Sequence, residues 1–224
     1  MSSTYEVRLT QGHVLRHAPA QSPQGRDAAV IDIAQDLLLR HLSECGVLTL
    51  VAFKGGTALR KVYAGAAGRF STDLDFSVAS LDDDPAAVIQ LLVGQIDDTR
   101  LGPFTYSIDE RRGRYTILYQ SDLGPDPTGP LQSKIDVGPP PWLAPTGRSW
   151  VDVPIHSRYG GPLPQLPVVD LAENVAEKSS VWLRFGSSST MRRMSGRKPM
   201  SSIRSASSRT RISTWLRFTV RWPT

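Results

Sequence analysis

Two adjacent glycines at the end of an apolar run set the layout of this sequence. Gly55 and Gly56 follow the largely apolar run Val47–Phe53 and precede Thr57–Tyr63, a segment of helical character. The run predicts a buried strand that ends in a tight turn, and the turn leads into a helix. Because the glycines carry no side chain and the first helical turn has free N–H groups, this corner can wrap an anionic oxygen, such as that of a triphosphate.

Three acidic residues follow in strand-like surroundings. Asp73 and Asp75 alternate with Leu74 and Phe76, which in a strand places both carboxylates on one face. Such a pair repels itself unless a cation lies between, and Mg²⁺ favours carboxylate oxygens together with phosphates and water. Asp136 is a third acid flanked by apolar residues. A Gly-Gly pair alone is commonly only a turn and an Asp-x-Asp pair a solvated strand edge, so the prediction depends on the order of these parts.

That order resembles the nucleotidyltransferase superfamily related to DNA polymerase β. The segments Lys54–Leu59 and Arg69–Phe76 are similar to those of the AbiEii/MenT-type nucleotidyltransferase toxins of bacterial toxin–antitoxin systems, and the resemblance covers about residues 27–184. It implies an α+β fold in which a mixed or antiparallel nucleotidyltransferase-like sheet is flanked by helices. A P-loop kinase is disfavoured, because Lys54 precedes the glycines and no Gly-Lys-Ser/Thr follows them.

The resemblance also implies roles for individual residues. Asp73 and Asp75 would bridge two Mg²⁺ ions, and Asp136 would hold the ion that activates the attacking hydroxyl. Lys178, on a helix, is implied as a further catalytic residue. Contacts to the nucleotide are expected from Gly55, Gly56, Thr57, Arg69, Ser71 and Lys134. For Lys134 a plain surface strand residue is an equal alternative.

The implied activity is the Mg²⁺-dependent transfer of a nucleoside monophosphate from an NTP to an RNA 3′ end, with tRNA as the expected acceptor. The protein would be a growth-inhibiting toxin restrained by a cognate antitoxin protein, and Ser71, two positions before Asp73, is a candidate site for inhibitory phosphorylation. Two alternatives remain open. The enzyme could modify a protein or a small molecule, or the chain could be a non-catalytic binding module.

Composition limits the remaining classes. The chain has 224 residues, 40% of them hydrophobic, and no apolar run long enough to span a bilayer or serve as a secretory signal, so a cytoplasmic protein without a membrane partner is expected. Cys45 is the only cysteine, which excludes an internal disulfide and a cysteine zinc cluster. The net charge of +5 arises at one end, because residues 1–185 carry 17 basic against 21 acidic residues.

The chain divides into four predicted regions. Residues 1–26 are expected to form a loosely held arm, and residues 27–165 the nucleotidyltransferase core. Within the core we expect a helix over residues 26–42, a helix over residues 86–96 capped by the acids before Pro85, a hairpin of residues 104–110 and 115–121, and a strand over residues 131–137. Residues 138–167, rich in proline, should be irregular, with Trp142 and Trp150 covering the core.

The end of the sequence departs from the family pattern. Residues 166–185 begin a helical region, and Glu173–Lys178 resembles the family's fourth motif, but the Arg-Asp pair that usually follows is absent. Residues 186–224 contain ten serines and eight arginines with no acid. Three explanations compete: a basic RNA-binding tail, a disordered extension, or an out-of-frame translation, which we favour because the pattern stops abruptly where a helix should continue.

Overall fold

The computed structural model describes residues 6–20, 22–123 and 127–177. No helix in these ranges is long and apolar enough to cross a membrane. The predicted basic tail, its origin and Lys178 lie outside the described residues. The described residues form an α+β structure, as the sequence predicted, and it is built on one eight-stranded sheet.

Side-chain caps start the two N-terminal helices, α1 (Gln11–His17) and α2 (Pro23–Glu44). The Thr10 hydroxyl accepts from the His13 backbone N–H, the Ser22 hydroxyl accepts from the Gly25 N–H, and Pro23 occupies the first position of α2. The prediction of a loosely held arm over residues 1–26 is therefore wrong for its described part. Val14 of α1 is buried, and α2 begins within the supposed arm.

The sheet is mixed. Its strands are β1 (Val51–Lys54), β2 (Leu74–Val78), β3 (Arg100–Leu101), β4 (Phe104–Arg111), β5 (Arg114–Ser121), β6 (Gln132–Gly138), β7 (Thr146–Arg148) and β8 (Leu166–Val168). They lie in the order β3-β4-β5-β6-β2-β1-β8-β7. The β2–β6 and β1–β8 pairs are parallel, and the other neighbouring pairs are antiparallel.

One face of this sheet forms the core. Phe76 of β2 and Val137 of β6 are register partners, and Ser133 and Ile135 of β6 are buried on the same face. Helix α2 covers this face, because its Gln35 donates to the Ser133 hydroxyl at 3.0 Å. Helix α4 (Pro85–Ile96) also packs there and starts at the predicted acidic cap, where the Asp84 carboxylate accepts from the Ala86 N–H. The opposite face of β6 is exposed.

Several local predictions need correction. The strand before the glycines is shorter than expected, because Val47–Leu50 is a 3₁₀ helix. The helix starts at the glycines as α3 (Gly55–Leu59) and continues as a π-helical turn, Arg60–Ala64. The supposedly irregular segment 138–167 contains β7, most of β8 and a 3₁₀ turn, Pro154–Arg158. Trp150 packs against the core, but the prediction for Trp142 is wrong, since it is 96% exposed.

A buried charge cluster joins α2 to the π-helical turn. It consists of Asp32, Asp36, Arg60, Lys61 and His17. Asp32 lies 2.9 Å from Arg60, 3.1 Å from Lys61 and 2.8 Å from His17, and Lys61 also pairs with Asp36. Burial alone would raise the pKa of the Asp32 carboxyl, but the charge of Lys61 and the contacts of His17 and Arg60 outweigh it and hold this pKa well below its usual range. The cluster therefore holds ionised groups in the interior.

Candidate active site

A row of charged residues crosses the centre of the sheet. Lys54 of β1 is the register partner of Asp75 of β2, and Asp75 is the register partner of Asp136 of β6. Neighbouring strands lie about 4.8 Å apart, and register partners point to the same face. The row is therefore on the face opposite α2. Asp73 precedes β2 and, like Asp136, is exposed, whereas Asp75 is half-buried. We call Asp73, Asp75 and Asp136 the acidic site.

Gly55 is required at the edge of this row for two reasons. Its φ of 79° lies in the left-handed region that favours glycine. A Cβ built on Gly55 would also lie 2.1 Å from the Asp75 Oδ2 atom. The Asp75 carboxylate thus lies directly against the Gly55 backbone, and the glycine corner and the acidic site form one local structure.

The glycine corner is held by two side chains that the sequence did not assign to this role. The Gly55 N–H donates to Asn174 Oδ1 at 3.1 Å, and Asn174 lies on α5, the helix of residues 171–177. The Thr57 side chain is buried, and its hydroxyl donates to the Asp73 backbone oxygen. The Gly55 N–H and the Thr57 hydroxyl thus both donate to groups of the protein, and their contacts to the triphosphate stay a prediction. The Gly56 N–H, in the first turn of α3, has no intrahelical partner.

Lys54 places a cation beside the acids. Its Nζ atom lies 2.8 Å from Glu177 Oε1 on α5 and 3.4 Å from a Cβ built on Gly138 of β6. The ammonium group thus extends over the same face of the sheet as the acids. Helix α5 therefore contacts the site twice, through Asn174 and through Glu177.

The remaining predicted site residues lie in three places. Lys134 is exposed on β6, two residues before Asp136, and so lies on the same face as that acid. Ser71 is half-buried in the loop that enters β2. Arg69, earlier in that loop, is exposed and lines a groove shared with α1. Lys178, as stated above, lies outside the described residues.

The acidic site offers the donors that a divalent cation requires. Its carboxylates supply hard oxygen ligands, and the register of Asp75 with Asp136 brings two of them to neighbouring strands. In the described ranges, no three His, Cys, Asp or Glu side chains are already converged on a common ion. The residue types, and the register of Asp75 with Asp136, fit a divalent cation such as Mg²⁺.

Sequence reasoning missed three residues of this site: Lys54, Asn174 and Glu177. Lys54 was passed over because its pairing with Asp75 joins strands separated by a long helical insertion. Asn174 and Glu177 belong to the segment Glu173–Lys178, from which only Lys178 was selected. Their place at the site follows from the fold. Strand β8 pairs in parallel with β1, and α5, which comes soon after β8, therefore starts beside Gly55.

A family comparison agrees with this geometry. The sequence model of a family described as "Nucleotidyl transferase AbiEii toxin, Type IV TA system" matches residues 36–197, which is most of the chain. The chain belongs to the AbiEii nucleotidyltransferase toxin family. This confirms the family that the segments around the glycines and the acids suggested, and the sheet described above confirms the predicted fold class.

The AbiEii-family chain is also similar to a solved structure, that of MenT4, a nucleotidyltransferase toxin from Mycobacterium tuberculosis H37Rv. The two are 35% identical with a TM-score of 0.69. The match covers 79% of this chain and 60% of MenT4, so this chain spans less than two thirds of the MenT4 length. None of the curated proteins matches.

Proposed function

We propose that this AbiEii-family protein is a Mg²⁺-dependent nucleotidyltransferase that transfers a nucleoside monophosphate from an NTP to the 3′ hydroxyl of an RNA, with tRNA as the expected acceptor. In this proposal it inhibits growth and is restrained by a cognate antitoxin protein. The observation that supports it most is the register of Asp75 with Asp136 beside the left-handed Gly55.

The reaction forms one bond and breaks another. The 3′ oxygen attacks the α-phosphorus, the bond from that phosphorus to the α–β bridging oxygen breaks, pyrophosphate leaves, and the hydroxyl proton passes to solvent. Transfers of this kind depend on alignment and on neutralising charge. Asp73, Asp75 and Asp136 are the residues that would hold Mg²⁺, which when bound supplies charge neutralisation and acidifies the attacking hydroxyl.

The protein's own groups would align the nucleotide. The Gly56 N–H at the start of α3 can donate to a phosphate oxygen, and Ser71 lies on the loop leading to Asp73. Lys54 and Lys134 lie on the face of the acids and can approach the triphosphate. Lys178 keeps its proposed catalytic role. Phosphorylation of Ser71 would place about −1.5 to −2 charges where the triphosphate enters, so Ser71→Asp should abolish transfer.

The test is to incubate the full chain with Mg²⁺, total RNA and each of the four labelled NTPs in turn. We expect label on RNA with a preferred NTP, and loss of labelling on chelation of the metal. The matched control is the Asp75→Asn, Asp136→Asn double variant, which should remain folded and inactive. Label on protein or small molecules would replace the RNA proposal, and a double variant as active as wild type would refute catalysis at the acidic site.

The toxin role is tested in cells. Expression of the wild-type chain should arrest growth, and the double variant should not. Co-expression of the protein encoded beside this one should restore growth if it is the antitoxin. Equal growth arrest by the wild-type chain and the double variant would contradict a toxicity that depends on nucleotidyl transfer.

A further inference from the structure

A groove of about 790 Å³ lies beside the loop that leads to Asp73, between that loop, α1 and the 3₁₀ turn Pro154–Arg158. It has three walls. The residues that define it here are His13 and Arg16 from α1, Arg69 and Phe70 from the loop, and Ile155 and Arg158 from the turn. We call it the cationic groove.

The charged groups that line this groove carry only one sign. Its titratable lining residues are His13, Arg16, His17, Arg60, Arg69 and Arg158. Arg60 and His17 are compensated by Asp32 of the buried charge cluster. Arg16, Arg69 and Arg158 are exposed and make no ion pair with any residue of the described ranges. Three guanidinium groups from three separate elements therefore face one volume without a counter-charge from the described residues.

The concentration of positive charge is unusual for this part of the chain. Residues 1–185 carry 17 basic against 21 acidic residues. Desolvation, and then the positive charges of Arg158 and Arg16, lower the pKa of His13, which lines the same groove. A local positive field in an otherwise acidic region indicates an anionic partner.

We propose that the cationic groove binds the phosphate backbone of the acceptor RNA immediately upstream of its 3′ end. This inference rests on the proposed function, because the RNA must present its 3′ hydroxyl at the acidic site. Arg69 precedes Asp73 by four residues, so their Cα atoms are separated by at most about 14 Å. A helical strand advances about 3.4 Å per nucleotide, so Arg69 lies within the length of about four nucleotides from Asp73.

The lining chemistry fits a nucleic acid strand. Guanidinium groups donate two parallel hydrogen bonds to phosphate oxygens, which ammonium groups do not. Phe70, which is half-buried, lines the same groove, and proteins that bind single strands commonly stack bases on aromatic rings. The position of the groove beside the loop that leads to Asp73 favours RNA over an acidic protein, because the RNA must bring its 3′ hydroxyl to the acidic site.

The test compares two variants with the same change in charge. The groove variant carries Arg16→Gln, Arg69→Gln and Arg158→Gln. The control variant carries Arg111→Gln, Arg112→Gln and Arg114→Gln, at the exposed tip of the β4–β5 hairpin. Both retain every other arginine, including those of residues 186–224. Binding is measured without NTP, by fluorescence anisotropy of a labelled stem–loop RNA with a single-stranded 3′ end, and thermal unfolding verifies that each variant is folded.

We expect the groove variant to lose on the order of 10- to 100-fold in RNA affinity, and its slope of log K against log salt to fall by about 2, since each phosphate contact to a single strand contributes about 0.7. The hairpin variant should bind nearly as wild type does. In wild type, the NMR titration of His13 should shift to a higher pKa on RNA binding, because phosphates offset the charges of Arg16 and Arg158.

Unchanged RNA affinity in a folded groove variant, or an equal loss of affinity in the hairpin variant, would overturn the proposal. An acidic protein would then be the expected partner of the groove. The binding measurement involves no nucleotidyl transfer, so the two proposals fail separately. RNA bound in the groove without transfer from any NTP would contradict the proposed reaction alone. A groove variant that binds RNA normally and keeps full transfer activity would contradict only the proposal that the groove binds the RNA.

Discussion

The buried charge cluster and the acidic site use the same residue type in opposite surroundings. In the cluster, the side chains of Asp32 and Asp36 are 4% and 2% exposed, and both contact Lys61. In the acidic site, Asp73 and Asp136 are exposed on an open sheet face. Aspartate inside the protein is thus matched by cations of the chain, and aspartate at the sheet surface faces solvent.

The charge balance explains the difference. Asp32 and Asp36 are offset by Arg60 and Lys61, since an ion left unpaired in the interior costs several kcal/mol. In the acidic site, Lys54 is in register with Asp75 and also pairs with Glu177. Asp73 and Asp136 are exposed to solvent, so a cation from solution can reach their carboxylates, which is what the proposed Mg²⁺ site requires.

The two regions are also mechanically connected. Arg60 and Lys61 belong to the π-helical turn that continues α3, and they fasten it to α2. At its other end, α3 begins with Gly55 against the Asp75 carboxylate. Single π-helical turns are frequent at functional sites. The buried charge cluster and the glycine corner are therefore joined by one continuous helical segment.

The largest effect is expected from Asp136→Asn. Removing one carboxylate from the acidic site should lower the rate of nucleotidyl transfer by on the order of 10³-fold, as expected for loss of a group that stabilises transition-state charge. The free energy of unfolding should change by less than about 0.5 kcal/mol, because Asp136 is exposed and repelled by its neighbours. Single-turnover transfer and urea unfolding measure the two quantities.

Asp82→Asn is the matched control for Asp136→Asn. Asp82 is an exposed acid in the turn before α4, away from the register of the acidic site. Both its activity and its stability should equal those of wild type. A large loss of stability in Asp136→Asn, or full activity in it, would remove the distinction between the two groups of aspartates.

The opposite result is expected from Asp32→Asn. This change leaves Arg60 and Lys61 under-compensated in the interior and should reduce the free energy of unfolding by about 3–5 kcal/mol. Urea unfolding measures this loss at neutral pH. A change below about 1 kcal/mol would show that the buried charge cluster does not depend on the Asp32 charge.

Only part of the contrast between the buried charge cluster and the acidic site could be predicted from the sequence. Local patterns predicted α2, the alternation around Asp75 and the cap of α4, because each depends on neighbours within a few positions. The burial of Asp32 and Asp36 could not be predicted, since their partners arrive from a later turn of the chain. For the same reason Trp142 was misplaced. Its position depends on Glu173, which accepts from the backbone N–H groups of Trp142 and Leu143 at 2.7 and 3.0 Å.

The residues of the site also fall into those that a local pattern predicts and those that only the fold brings together. The acids were selected as candidates because they are spaced two apart or flanked by apolar residues, which is typical of a strand. The assignment of Lys54 to the site depends on strand register, and that of Asn174 depends on the pairing of β8 with β1. Thr57 was assigned to phosphates because its hydroxyl follows the glycines, and only the fold shows that Asp73 receives that hydroxyl.

The pH dependence of stability should separate the two groups of acids further. Because the pKa of Asp32 is depressed in the folded protein, its contribution is complete above the unfolded value of about 3.9 and is lost as pH falls below it. In that range the unfolded chain binds the extra proton, so Asp32 should contribute a slope of about 1.4 kcal/mol per pH unit. Urea unfolding between pH 5 and pH 3 should show a shallower slope in Asp32→Asn. Equal slopes in the two proteins would contradict a depressed pKa for Asp32.

The smallest effect tests whether the charge of Lys54 serves the substrate or the fold. Its side chain is 15% exposed and its partner Glu177 is 51% exposed, so the ion pair should contribute less than about 1 kcal/mol to stability. If Lys54 serves the triphosphate, Lys54→Gln should raise the KM for NTP about tenfold, equivalent to about 1.4 kcal/mol, with little change in unfolding. Glu177→Gln, which keeps the lysine, is the matched control and should leave the KM near the wild-type value. A loss of several kcal/mol in stability at unchanged KM would instead place Lys54 with Arg60 and Lys61, as a cation that the fold requires.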